Sequence, residues 1–147
     1  MTYTYDDSVS VHELFELWEK MKAFQGDRFP AHLAFHMPLR DKKKEEESIK
    51  NTISVTARDN NGSLIGYLRI LTDRAYIYYI LDVMVDPKYR KKGIGSNLVE
   101  LGVEQSKNQG FIKIFLTALP GTEKFYKKYG FNEGMSPVLT IRGEDYL

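Results

Sequence analysis

Arg90-Lys91-Lys92-Gly93-Ile94-Gly95 follows the apolar run 80–85 after four intervening residues and stands directly before a segment of helical period. That order dictates a strand delivering the chain into a two-glycine loop, with a helix opening at once. The first amides of such a helix have no intrahelical acceptor and converge on one point. Without Cβ atoms at Gly93 and Gly95 an anion can approach the backbone closely, and Arg90, Lys91 and Lys92 place positive charge around the same spot. The stretch reads as a phosphate cradle, and a diphosphate suits it.

Two common nucleotide loops do not fit. A P-loop needs Lys followed by Ser or Thr after its last glycine, whereas Ser96 and Asn97 follow Gly95. The third glycine of a dinucleotide fingerprint would fall at Leu98, and most of the chain has already passed before this loop. The spacing Arg-x-x-Gly-x-Gly, preceded by Val85-Asp86-Pro87-Lys88-Tyr89, instead resembles the acetyl-coenzyme A signature of the GNAT superfamily N-acetyltransferases. The resemblance implies acetyl-coenzyme A as co-substrate, held by Arg90, Lys91, Lys92, Gly93, Ile94, Gly95 and Ser96. A basic turn with a glycine helix start is the plain alternative.

A chain of 147 residues fits one compact domain, 1–147, able to bury a core without disulfides or metal. The net charge of +1 argues against a dedicated nucleic-acid binder, which usually carries a clear basic excess. With no cysteine, neither a thiolate nucleophile nor a thiolate metal site exists. His32 and His36 are spaced to share a helix face, but His12 is the one further imidazole and no carboxylate spacing completes a site, so no metal is expected. Residues 1–7 lack the basic start and apolar core of a secretory signal, and no apolar run approaches membrane-spanning length. The expectation is a cytoplasmic protein that binds neither membrane nor nucleic acid.

Residues 3–5 alternate as a short strand. Ser10 and Glu13 form a capping-box pattern, and Val11, Leu14, Phe15, Trp18, Met21 and Phe24 recur at helical spacing until Gln25-Gly26-Asp27. A loop and a second helix are expected over 28–51, with Lys42-Lys43-Lys44-Glu45-Glu46-Glu47 as a solvated, weakly paired face; an acceptor-binding lid is the functional alternative. Strands follow at 53–58, 64–71 and 75–85, joined by the hairpin turn Asp59-Asn60-Asn61-Gly62 and by Thr72-Asp73-Arg74. A helix over 94–108, a strand over 112–117, a short helix over 122–129 and an extended stretch near 138–141 complete the order. It predicts an α/β domain with a mixed, mostly antiparallel sheet flanked by helices, which is also the GNAT order. The tyrosines at 67, 76, 78 and 79 suit packing on a sheet face, with ligand stacking the functional alternative.

Phe125-Tyr126-Lys127-Lys128-Tyr129-Gly130-Phe131 resembles the second GNAT motif, a short helix that carries an aromatic pair and ends at Gly-Phe. Gly130 suits a left-handed C-cap, Phe125 and Tyr129 share a face, and Tyr126 is rotated away from them. The resemblance makes Tyr126 the general acid that protonates the departing thiolate, and puts Phe125 and Lys128 beside the cofactor. A tyrosine that only packs its ring is the alternative. Relatives also splay the strand here, so a bulge near Asp82 is implied, freeing backbone at Val83, Met84 and Val85 for pantetheine and the acetyl oxygen.

Asp82 is the lone carboxylate of that strand and reads equally as a base or as a structural group. Many GNAT enzymes carry a glutamate where this chain has Leu81. Glu133 and a water chain are further routes for the proton. The asparagine common near Thr117 in relatives is missing, and Leu119-Pro120-Gly121 leads into the second motif, a variant that resembles a mostly uncharacterised bacterial branch. The expected activity is acetyl transfer to a primary amine of a small molecule or peptide, with a homodimer the assembly common in relatives. A coenzyme A-binding sensor without turnover is the alternative from another class, and nucleic-acid binding through Lys88, Arg90, Lys91, Lys92, Lys127 and Lys128 rests on charge alone.

Overall fold

A computed structural model of the chain describes residues 1–25, 41–134 and 139. Five strands, β1 (Thr2–Tyr5), β2 (Ile53–Arg58), β3 (Leu64–Thr72), β4 (Ile77–Val85) and β5 (Lys113–Leu116), form one sheet in the order β1-β2-β3-β4-β5. All neighbours pair antiparallel except β4 and β5, which run parallel. A parallel pair needs a crossover, and helix α3 (Ile94–Asn108) supplies it. The expected α/β architecture with a mixed, mostly antiparallel sheet is what forms.

Local chemistry sets the element ends. Helix α1 (Val11–Gln25) opens on the capping box: Glu13 N donates to Ser10 Oγ at 3.2 Å, and Ser10 N donates to Glu13 Oε2 at 2.9 Å. Helix α2 (Lys42–Asn51) is capped by Asp41, which accepts from Lys44 N at 2.9 Å. The 59–62 hairpin forms as expected, with Asp59 Oδ1 accepting from the amides of Asn61 and Ser63. β4 starts at Ile77 rather than 75 because Asp73 Oδ1 accepts from the amides of Ala75, Tyr76 and Ile77, which holds 75–76 in the turn. Helix α4 (Glu123–Lys127) is shorter than expected, ending in turn bonds from Tyr129 N and Gly130 N; Gly130 has φ 94°, the left-handed cap. The strand expected at 138–141 lies outside the described residues apart from position 139.

α3 packs on one sheet face through Leu98, Val99 and Val103 against Val55, Leu68 and Ile70. α1 packs on the other through Leu14, Leu17, Trp18 and Met21 against Tyr67 and Met84. Gly66 is where α3 settles closest: a Cβ there would lie 2.9 Å from Ile94 Cγ2, 3.0 Å from Leu98 Cδ1 and 3.2 Å from Ala57 Cβ. Tyr67 and Tyr78 are fully buried, so their rings serve the core. The charge run is not wholly solvated: Glu45 is buried beneath α2, paired with Arg69. Its partner lies in β3, too far along the chain for any local pattern to reveal. Among the described residues no helix is long and apolar enough to cross a membrane.

Candidate active site

The strand-to-helix turn expected at residues 90–95 forms there. Asp86, itself buried, caps the 3-10 turn Pro87–Tyr89 by accepting from Lys88 N at 2.9 Å, and binds Lys20 Nζ of α1 at 3.1 Å. The loop then uses left-handed backbone at Lys91 (φ 60°) and Gly93 (φ 78°) to turn directly into α3. No side chain caps that helix, and Asn97 N is the amide that first returns to Gly93 O. The amides of Ile94, Gly95 and Ser96 are therefore presented outward at the positive end of the helix.

The two sequence motifs meet at this point. A Cβ built on Gly95 would touch Val85 Cγ2 at 3.6 Å and Phe125 Cζ at 3.7 Å, so the end of β4 and the first turn of α4 flank the start of α3. Lys128 Nζ lies 3.3 Å from Ser96 Oγ and over the rings of Phe125 and Tyr129. Arg90 goes elsewhere: its guanidinium sits 4.2 Å over the Phe24 ring, with Nη2 3.7 Å from Met21 Sδ. Lys92 lies over Tyr89 at 5.3 Å, and Lys91 is exposed.

β4 and β5 part beside the cradle. Their register runs from Ile77↔Lys113 to Ile80↔Leu116 and stops, while β4 continues to Val85. On the β3 side, Arg69 opposes Leu81 and Tyr67 opposes Met84, so Asp82 and Val83 together face Leu68. One extra residue in β4 is a β-bulge, and Asp82 takes φ 52° within it. The backbone of Val83, Met84 and Val85 thus lies beyond the paired part of β5, next to Gly95.

Asp82 turns to the same side as Arg69. Its Oδ2 is 3.3 Å from Arg69 Nε; Arg69 Nη2 donates to Glu45 Oε1 and Nη1 to Ser48 Oγ. The guanidinium lies 5.6 Å from the Tyr67 ring centre, and Tyr67 shares a 3.1 Å hydrogen bond with Ser54. Burial opposes the guanidinium charge, but Tyr67, Asp82 and Glu45 outweigh it and hold Arg69 above its ordinary pKa. The Tyr67 phenol is pushed up by burial. Neither Arg69 nor Glu45 stands out in the motif pattern. The available signal is a charge set among apolar neighbours in each of two consecutive strands, Arg69 between Leu68 and Ile70, Asp82 between Leu81 and Val83.

Tyr126 is half-buried, with Phe125 edge-on at 4.9 Å and Phe131 at 6.3 Å. Burial pushes its phenol above the ordinary tyrosine value, which keeps the proton on the oxygen. With Ile114, Leu116 and Phe131 it lines a cavity of about 440 Å³ between β5, α4 and the C-terminal half of α3. Glu133 also borders that cavity, exposed and 3.7 Å from Lys127 Nζ. His32 and His36 lie outside the described residues, and among those described no group of three or more His, Asp or Glu side chains could hold a metal ion.

Comparison with known proteins bears on the family and the fold. The acetyltransferase (GNAT) family profile matches residues 11–131. The uncharacterized N-acetyltransferase ycf52 of Pyropia yezoensis is 29% identical over 93 residues, 60% of this chain and 53% of that protein. GCN5-related N-acetyltransferase 1, chloroplastic, of Arabidopsis thaliana is 27% identical over 114 residues, 74% of this chain and 58% of that protein. The chain spans about half the length of the curated relatives it matches. Among solved structures, a GNAT family acetyltransferase of Streptococcus pneumoniae TIGR4 shares the fold with TM-score 0.70 at 19% identity, covering 97% of this chain and 98% of that one. The chain belongs to the acetyltransferase (GNAT) family.

Proposed function

We propose that this chain transfers an acetyl group from acetyl-coenzyme A to a primary amine of a small molecule or peptide, by direct attack with both substrates bound. The observation that carries the reading is the uncapped start of α3, flanked by Val85 and Phe125, beside a β4 backbone that β5 has left. A diphosphate fits the outward amides of Ile94, Gly95 and Ser96, with Lys128 and Lys91 adding positive charge. Acetyl-coenzyme A, when bound, supplies a thioester carbonyl open to attack by nitrogen.

The chain's own groups then divide the work. Backbone at Val83, Met84 and Val85 binds the extended arm and meets the charge that grows on the acetyl oxygen. Tyr126 keeps a proton on Oη for the departing sulfur. Asp82 is engaged by Arg69, which favours a supporting role over that of proton acceptor, so the amine proton leaves through water. With no cysteine in the chain, the acetyl group does not pass through an acetyl-cysteine intermediate. A homodimer in the cytoplasm is the expected setting.

Tyr126→Phe tests the reading. Thiol release should fall on the order of 10²- to 10⁴-fold, the usual contribution of a general acid, while calorimetry shows coenzyme A affinity nearly unchanged. Leu81, where many relatives have a carboxylate, favours a second reading as a coenzyme A-binding module. Absence of transfer by the unmodified protein to any amine of a broad panel, with binding intact, would select it.

A further inference from the structure

Arg69 of β3 is a buried cation that pairs with two buried anions, Glu45 and Asp82. Arg69, Glu45 and Asp82 have side chains only 3%, 5% and 8% exposed. Nη2 donates to Glu45 and Nη1 to Ser48, while Nε faces Asp82 Oδ2 at 3.3 Å as an ion pair outside hydrogen-bond geometry. Such a planar fork suits arginine and not lysine, whose single ammonium cannot reach three directions at fixed angles. Burying three charges is a poor way to gain stability, since well-packed apolar side chains commonly do as well or better. The arrangement is better understood by what it joins.

Its two ends lie on different elements. Glu45 and Ser48 belong to α2, whereas Asp82 is the left-handed residue of the β4 bulge. Asp82 is where β4 gains its extra residue, and it lies in the stretch 81–85 that runs on beyond the last residue paired with β5. Arg69 sits opposite Leu81 in β3, immediately before that point. A non-glycine residue at positive φ persists only where its surroundings fix it, and the guanidinium is one such fixture.

We propose that Arg69 is a positioning residue for acetyl transfer: it grips Asp82 and α2 together and so fixes the bulged backbone of residues 82–85 where the thioester is received. This rests on the acetyltransferase reading above. The diphosphate grip at α3 lies outside the clamp, so loss of Arg69 acts on the rate far more than on binding.

The test compares unmodified protein with Arg69→Met, Asp82→Gly and the neutral triple variant E45Q/R69M/D82N, which avoids stranded buried charges if Arg69→Met fails to fold. Thiol release from acetyl-coenzyme A is followed with an amine panel, well below each melting temperature, and coenzyme A binding is measured by calorimetry. The expected result is a fall in kcat on the order of 100-fold, the cost typical of a misplaced reacting group, with coenzyme A affinity kept within about threefold. Asp82→Gly is decisive because glycine accepts φ 52° without strain; if the clamp matters, its rate falls as well. Normal kcat in folded Asp82→Gly and in the triple variant overturns the positioning role while leaving the acetyltransferase reading intact. Absence of turnover by the unmodified protein overturns both.

Discussion

Replacing Gly66 by alanine puts one methyl group where the sheet and α3 touch. Its three nearest contacts, at 2.9, 3.0 and 3.2 Å, fall short of the roughly 3.5–4.0 Å at which carbon atoms sit comfortably. Leu98 Cδ1 is the end of a flexible side chain and can rotate aside. Ala57 Cβ is fixed by β2, and Ile94 is β-branched and stiff in a helix. The first turn of α3 must therefore lift from the sheet by several tenths of an ångström. Overpacking of this kind costs about 1–3 kcal/mol, which for a chain of this size lowers Tm on the order of 3–10 °C.

Gly95 and Ser96 follow Ile94, so the lift also displaces the cradle amides, and coenzyme A affinity should fall on the order of tenfold, the equivalent of about 1.4 kcal/mol. Adding Ile94→Ala removes the stiff methyl. Chemical denaturation of both single variants and the double should show a coupling of about 0.5–3 kcal/mol, the double being more stable than the sum implies. Gly66→Ala with unmodified Tm and coenzyme A affinity would refute the close-packing reasoning. So would strictly additive costs.

Ser96→Asp puts a carboxylate in the first turn of α3, where it interacts favourably with the helix dipole by about 0.3–1 kcal/mol; Tm should hold or rise while coenzyme A affinity drops at least about tenfold, less so in high salt. Unchanged affinity in calorimetry would place the anion elsewhere. At the N-terminal end, burial pushes Asp7 and Glu13 up, but hydrogen bonds from Thr56 and Arg58 to Asp7, and from Arg58 and Ser10 to Glu13, outweigh it and leave both below their ordinary values. Their stabilisation is complete above the usual carboxylate range and disappears as pH falls through the lowered values. Arg58→Ala should lower Tm at pH 7 and flatten its fall between about pH 5 and 2; parallel Tm curves would contradict this.

Much of the site is legible because its causes are local. Two glycines between a strand and a helix specify the uncapped turn, Ser10 and Glu13 specify the start of α1, and Gly130 specifies the end of the α4 segment. Where side chains meet across distant elements, spacing is silent. Strict alternation would send Asp82 to the face opposite Leu81, yet the bulge turns it toward Arg69, and bulge position is set by pairing rather than by composition. Glu45 looks like one charge among six until the packing of α2 brings it to Arg69 of β3. Arg90 belongs to the signature stretch but lies over Phe24, because nothing in the loop reveals that the end of α1 is beside it.

Nitrogen-15 NMR of the protein titrated with coenzyme A observes the cradle amides themselves. A diphosphate held by the start of α3 predicts that the signals of Ile94, Gly95 and Ser96 shift most and saturate with binding, while pantetheine, which lacks the diphosphate, leaves them in place. Coenzyme A binding that moves other amides and spares these three would contradict it, as would no binding at all.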